Sequence, residues 1–329
     1  MARFPFVAQL RALVESEVVE ANVEELLVFL EEELGLSEDY LLKVVVKNSA
    51  VLGLSVEANL QPTTALLKGE LGLSPGELRK VVVKLLPALG GSVEAKLKPT
   101  LVFLEEELEL SPGELRKMVV AHPLVLSCSV EADLQPTTAF LEEELGLRFE
   151  QLRKLVMSHP QVLSCSVEAN LKPTIAFLEE ELELSPGELR KLVMSHPQVL
   201  SYSVEANLKP TTAFYTNALS LDTRGVAEFI CSNPACLGRY IYPISLTKTL
   251  EPRYARVLEA GIEVNRTVMT HVAIKTAVKF DEWLEKKKRA LQQGTSRPGQ
   301  APDRFQKRER KPGKKRGVVY DGDLMSPRL

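Results

Sequence analysis

Cysteine is scarce in this chain: four in 329 residues, too few for a disulfide scaffold at that length, so free thiols in a reducing compartment are expected. No apolar run approaches the ~18 residues needed to cross a bilayer. Stretches such as Val81–Leu86 are short and broken by Lys84, and a membrane-spanning chain is excluded. Aromatic residues make up 6%, which leaves little surface on which unpaired bases could stack. There is no Gly-rich phosphate loop, no H-E-x-x-H and no G-x-S-x-G, so neither an enzyme nor a cofactor site is expected. Strand-length β-branched runs with turn signals are also missing, which argues against a sheet.

What is present is ordinary in sum and unusual in arrangement. Hydrophobic residues are 45% and charged residues 26%, enough to bury a sizeable core. Twenty prolines argue against a bundle of long helices. The net charge of −3 hides an asymmetry, because residues 286–316 carry thirteen Lys/Arg against Asp303 and Glu309, a local +11. The rest of the chain therefore carries −14. An acidic body with a basic tail is the expectation, the tail disordered beyond the last helix.

Self-similarity organises the body. The segment Ser55-Val-Glu-Ala-Asn-Leu-Gln-Pro62 returns at Ser92, Ser129, Ser166 and Ser203, each time after 37 residues. Residues 129–165 and 166–202 agree at 28 of 37 positions. A degenerate copy begins near Val18, and a divergent last unit reads Ser245 to Arg253. The organisation expected is a lead-in at 1–17, an array at 18–285 and a tail at 286–329. In residues 166–202, Leu171, Ile175, Phe177, Leu178 and Leu182 keep near-helical spacing after a proline in or near the first turn. Ser185-Pro186-Gly187-Glu188 then reads as a capping box opening a second helix, with the same signal at Ser74 and Ser111. His196-Pro197 stops that helix, since the residue before proline leaves the α region, and a short third turn follows. The fold class is all-α: a solenoid of 37-residue, three-helix units, each burying its apolar face only against its neighbours.

Basic pairs recur in phase on the second helix: Arg79-Lys80, Arg116-Lys117, Arg153-Lys154 and Arg190-Lys191, with Lys43 in the earliest unit. Such a ladder could track phosphates without reading bases. It could equally be a solvated face matched by the glutamates of the first helix, since residues 166–202 hold six carboxylates against three basic residues. His122, His159 and His196 each precede a proline, one unit apart, too far to share a metal. Their placement at helix C-termini suits the negative end of the dipole. Cys128 and Cys165 read as small core residues, and Cys231 and Cys236 lack the second pair or histidines of a zinc site.

The combination of Leu171-Lys172-Pro173, Leu189-Arg190-Lys191 and Pro197-Gln-Val-Leu-Ser-Tyr-Ser-Val-Glu205 at a 37-residue period resembles the mitochondrial transcription termination factor (mTERF) repeat family. The closing Leu250-Glu251-Pro252-Arg253 is similar to that family's last motif. The resemblance implies three helices per motif wound into a left-handed superhelix and organellar targeting to a mitochondrion or chloroplast. It also implies binding of duplex DNA, or in plant members RNA, along a basic groove to which Arg253 would belong with the ladder. What it implies in sum is a non-catalytic regulator of transcription or its termination. The near-identical units imply sequence-independent contacts. Rival readings are a protein-interaction scaffold, favoured by the −14 body, and an RNA-binding factor in organellar splicing or ribosome assembly. A monomer with possible organellar protein partners is expected. Residues 1–17 lack the Ser-rich, acid-poor character of a transit peptide, so the presequence is expected to be short or the chain to start inside a longer precursor.

Overall fold

The structure, a computed structural model, describes residues 17–89, 95–238 and 246–294. Among these the regular elements are all helical. The α-helices run α1 Glu17–Glu32, α2 Glu38–Lys47, α3 Gln61–Gly69, α4 Pro75–Leu85, α5 Leu97–Glu106, α6 Pro112–Ala121, α7 Gln135–Leu145, α8 Phe149–Ser158, α9 Lys172–Ala176, α10 Pro186–Ser195, α11 Lys209–Leu219, α12 Thr223–Ser232, α13 Glu251–Glu259, α14 Arg266–Ile274 and α15 Ala277–Gly294. The chain divides into two compact units, Met1–Asp281 and Glu282–Leu329. The helices α1 to α14 and the start of α15, to Asp281, lie in the first, and the rest of α15 lies in the second. Residues 295–329, most of the expected basic tail, lie outside the described residues.

Each repeat starts earlier than its proline suggests. Ser55, Ser129, Ser166 and Ser203 are N-caps whose hydroxyls accept from the amides of Ala58, Ala132, Ala169 and Ala206. The turn that follows is widened: the amides of Leu60, Leu134, Leu171 and Leu208 donate five residues back, to the carbonyls of Ser55, Ser129, Ser166 and Ser203. Only then does the α-helix proper begin, with proline at its second position. Proline offers no amide and crowds the carbonyl four residues back. A π-type turn ahead of it lets the helix absorb that defect without breaking. The repeated Ser-Val-Glu-Ala is thus the start of the first helix rather than a linker to it.

The second helix opens on the serine box. Ser74, Ser111 and Ser185 donate from amide and hydroxyl to Glu77, Glu114 and Glu188. It ends at His122, His159 and His196, whose extended φ near −132° to −145° hands over to a 3-10 turn such as Pro123–Ser127. The unit is therefore two helices and a turn. Its interior is aliphatic: Leu60, Leu67, Leu104, Leu141, Leu178 and Leu208 are fully inaccessible, each worth about 1.5–3 kcal/mol of burial. A polar rung crosses from unit to unit. The buried hydroxyls of Thr100, Thr137 and Thr174 donate to the carbonyls of Cys128, Cys165 and Tyr202, at 3.0, 3.4 and 3.4 Å.

Candidate nucleic-acid interface

The second helices α4, α6, α8 and α10 carry the arginine–lysine pairs, and the two members of each pair have different fates. Arg116 Nη2 lies 2.6 Å from Glu77 Oε2, and Arg153 Nη2 lies 2.6 Å from Glu114 Oε2. Each partner is the capping glutamate of the preceding unit. Where that position is not glutamate, the arginine turns elsewhere. Arg79 would need a carboxylate at Tyr40, and Arg190 one at Gln151. Instead Arg79 Nε donates to the Leu34 carbonyl at 2.6 Å, and Arg190 Nε to the Leu145 carbonyl at 2.8 Å.

Both carbonyls precede a glycine with left-handed φ, Gly35 and Gly146. A Cβ on either glycine would stand 2.8 Å from the guanidinium. The arginine therefore has two docking options on its neighbour, a carboxylate or the end of a helix. In the following unit the in-phase position is Ala227, and Arg224, three residues earlier in α12, holds the same role against Glu188, with Nη1 3.1 Å from Oε2.

These interactions mark the glutamates. The Arg116 guanidinium and the Ser74 hydroxyl and amide hold the Glu77 carboxyl down to about 2. Arg224 with Ser185 does the same to Glu188, also about 2. Glu114 is lowered by Ser111 first and by Arg153 after it. Arg253 is likewise engaged in the fold, where its Nη1 donates to the carbonyls of Val272 and Lys275 at the end of α14, at 2.9 and 2.8 Å. Its guanidinium also lies 5.0 Å over the Phe280 ring. The two options for arginine were missed in the sequence because the partners are 39 or 45 residues apart. A signal existed: the two units with Tyr40 and Gln151 at the capping position have glycine after their first helix, and the next unit supplies an arginine that reaches over it.

The lysines stand apart. Lys43, Lys80, Lys117, Lys154 and Lys191 occupy one helical position at one-unit spacing, all exposed, and none has an ion-pair partner among the described residues. Lys47 and Lys84, one turn further along α2 and α4, share that face and are also exposed. They escaped the sequence reading because later units carry Ala121, Ser158 and Ser195 there.

His122, His159 and His196 are the C-cap residues of α6, α8 and α10, at the helix C-termini where they were expected. His122 and His159 share hydrogen bonds of 2.9 Å with Ser164 and Ser201 of the following unit, and His196 reaches the Tyr202 hydroxyl at 3.3 Å. Burial pushes His159 and His196 down to about 4, helped by the histidine of the preceding unit, and lowers His122, helped by Lys84. Desolvation outweighs the helix-end dipole, so the rings are neutral hydrogen-bonding rungs rather than cations. Cys128 and Cys165 sit beside the same serines at 3.4 and 3.6 Å, and burial raises both thiols. No group of His, Cys, Asp and Glu among the described residues could hold a metal, and no described helix is long and apolar enough to cross a membrane.

The mTERF family model matches residues 12–115 and 106–281. A search of the curated proteins finds no match.

Proposed function

The chain belongs to the mTERF family, whose members are non-catalytic helical-repeat proteins that bind nucleic acid, generally in organelles, and from that premise we propose that it binds duplex DNA and regulates transcription or its termination there. The binding surface we assign is the lysine line Lys43, Lys80, Lys117, Lys154 and Lys191. One observation carries the reading. The arginines at the neighbouring positions are tied into the fold, whereas these lysines recur at a constant position, exposed and free of carboxylate partners among the described residues. A row of equivalent ammonium groups suits phosphates at regular spacing and carries no base code. Arg79, Arg116, Arg153 and Arg190 join the candidate set as the residues that hold those lysines in line, and Arg253 joins it at the closing unit, where it is tied to the end of α14. The basic segment 286–316 would add affinity at low salt for a body that is otherwise acidic.

A titration with duplex DNA at several salt concentrations tests this. Changing the five lysines to glutamine is expected to weaken binding and to flatten the log–log salt slope by about 0.9 for each phosphate no longer neutralised. Changing Arg116 and Arg153 to glutamine should instead lower thermal stability and leave the slope nearly intact. An unchanged slope in the lysine variant would return the ladder to a solvated face and favour the scaffold reading.

A further inference from the structure

Units this similar are most informative where they differ, and several differences converge on one place. Position 40 is Tyr where its 37-residue counterparts are Glu77, Glu114, Gln151 and Glu188. Position 124 is Leu where the counterparts are Ala50, Pro87, Gln161, Gln198 and Ala235. Positions 47 and 84 are Lys where later units have Ala121, Ser158 and Ser195. All four residues line a single cleft of about 680 Å³ between α2, α4 and the turn Pro123–Ser127, together with Lys43 and Val83. Tyr40 is 46% and Leu124 41% exposed, the two large apolar side chains at its mouth. Tyr40, Val83 and Lys84 also border an adjoining cleft of about 430 Å³ on the far side, against Gly35 and Arg79.

We infer that this cleft is a docking site for an acidic amphipathic helix of a partner protein. The chemistry selects that occupant. Three exposed lysines around an apolar interior match a ligand with an apolar stripe flanked by carboxylates, the helix-in-groove mode of recognition. A nucleic-acid backbone could satisfy the lysines but has no apolar group to cover Tyr40, Leu124 and Val83. The basic residues 286–316 have the same sign of charge as these lysines and do not complement them. Exchanging Tyr40 and Leu124 for their counterparts' glutamine removes the apolar mouth without altering charge, and the later units fold with glutamine at those positions. The inference stands or falls separately from the duplex reading, which rests chiefly on lysines of later units.

The probe is a synthetic peptide of about four helical turns, with leucines at i, i+3, i+7 spacing and glutamates on the flanks, measured by fluorescence anisotropy against the full chain. A scrambled peptide of equal charge is the control. The native chain should bind the patterned peptide at least tenfold more tightly than the scrambled one. Y40Q/L124Q should lose that preference while keeping its melting temperature and duplex affinity, K47S/K84S should lose affinity for both peptides, and K117Q/K154Q/K191Q should keep peptide binding. Equal binding of the two peptides, or none, overturns the inference. A loss of duplex affinity in Y40Q/L124Q would hand the cleft to nucleic acid and overturn it as well.

Discussion

Glu109 and Glu183 hold φ of +46° and +53° at the position where Gly35, Gly72 and Gly146 hold +60°, +56° and +56°. The end of the first helix turns left-handed in each of these units, and a side chain there costs about 1–2 kcal/mol, offset in part by glycine's larger entropy loss on folding. Glu109→Gly and Glu183→Gly are each expected to stabilise the protein by about 0.5–1 kcal/mol, read from the urea midpoint at constant m. The reverse change separates two costs. Gly72→Ala meets only the backbone strain, with nothing within 4 Å of the new Cβ, while Gly146→Ala also meets Arg190 at 2.8 Å. Gly146→Ala should therefore be the more damaging of the two, and the Arg190→Gln background should bring it close to Gly72→Ala. A double-mutant cycle in denaturant measures that coupling.

Helices begin and end here by rules that are partly visible in one unit and partly not. Ser74, Ser111 and Ser185 with their glutamates were legible, because a capping box needs only four adjacent residues. Ser74→Ala is expected to cost about 1 kcal/mol. The unit that reads Arg148-Phe-Glu-Gln151 keeps one arm of the box, the Arg148 amide donating to Gln151 Oε1 at 3.1 Å. Arg148→Ser should gain a few tenths to 1 kcal/mol by supplying a hydroxyl acceptor. The period, the helical character and the His-Pro stops were equally legible, since each is local. The widened turn after Ser166 was not, because Pro173 is read as a beginning when only helical spacing is considered. Nor were the arginines' partners, because the carboxylate that holds Arg153 is Glu114, in another unit.

At the scale of the array the arginine pairs are weak and the apolar stacking strong. Pairs such as Arg116–Glu77, with side chains 40% and 30% exposed, are screened by water and contribute less than one buried leucine. They set register more than stability. Acid exposes a second vulnerability, in two stages. A histidine held below its ordinary 6.5 contributes stability that is complete above 6.5 and is lost as pH falls toward about 4, where His159 and His196 protonate in the fold. Glu77 and Glu188, lowered from 4.5 to about 2, add stability present above 4.5 and lost as pH falls to about 2. Melting temperature should thus decline first between pH 6.5 and 4, and H159Q/H196Q should blunt that first decline alone. The choice open to each arginine has an evolutionary corollary. Excising residues 129–165 would bring Arg190 opposite Glu114 in place of Gln151, and His122 opposite Ser201 in place of Ser164. Both partners removed by the cut have a chemical equivalent across the seam. Recombination between copies would therefore keep both contacts while changing the array by a whole unit, which makes its length an easily inherited variable.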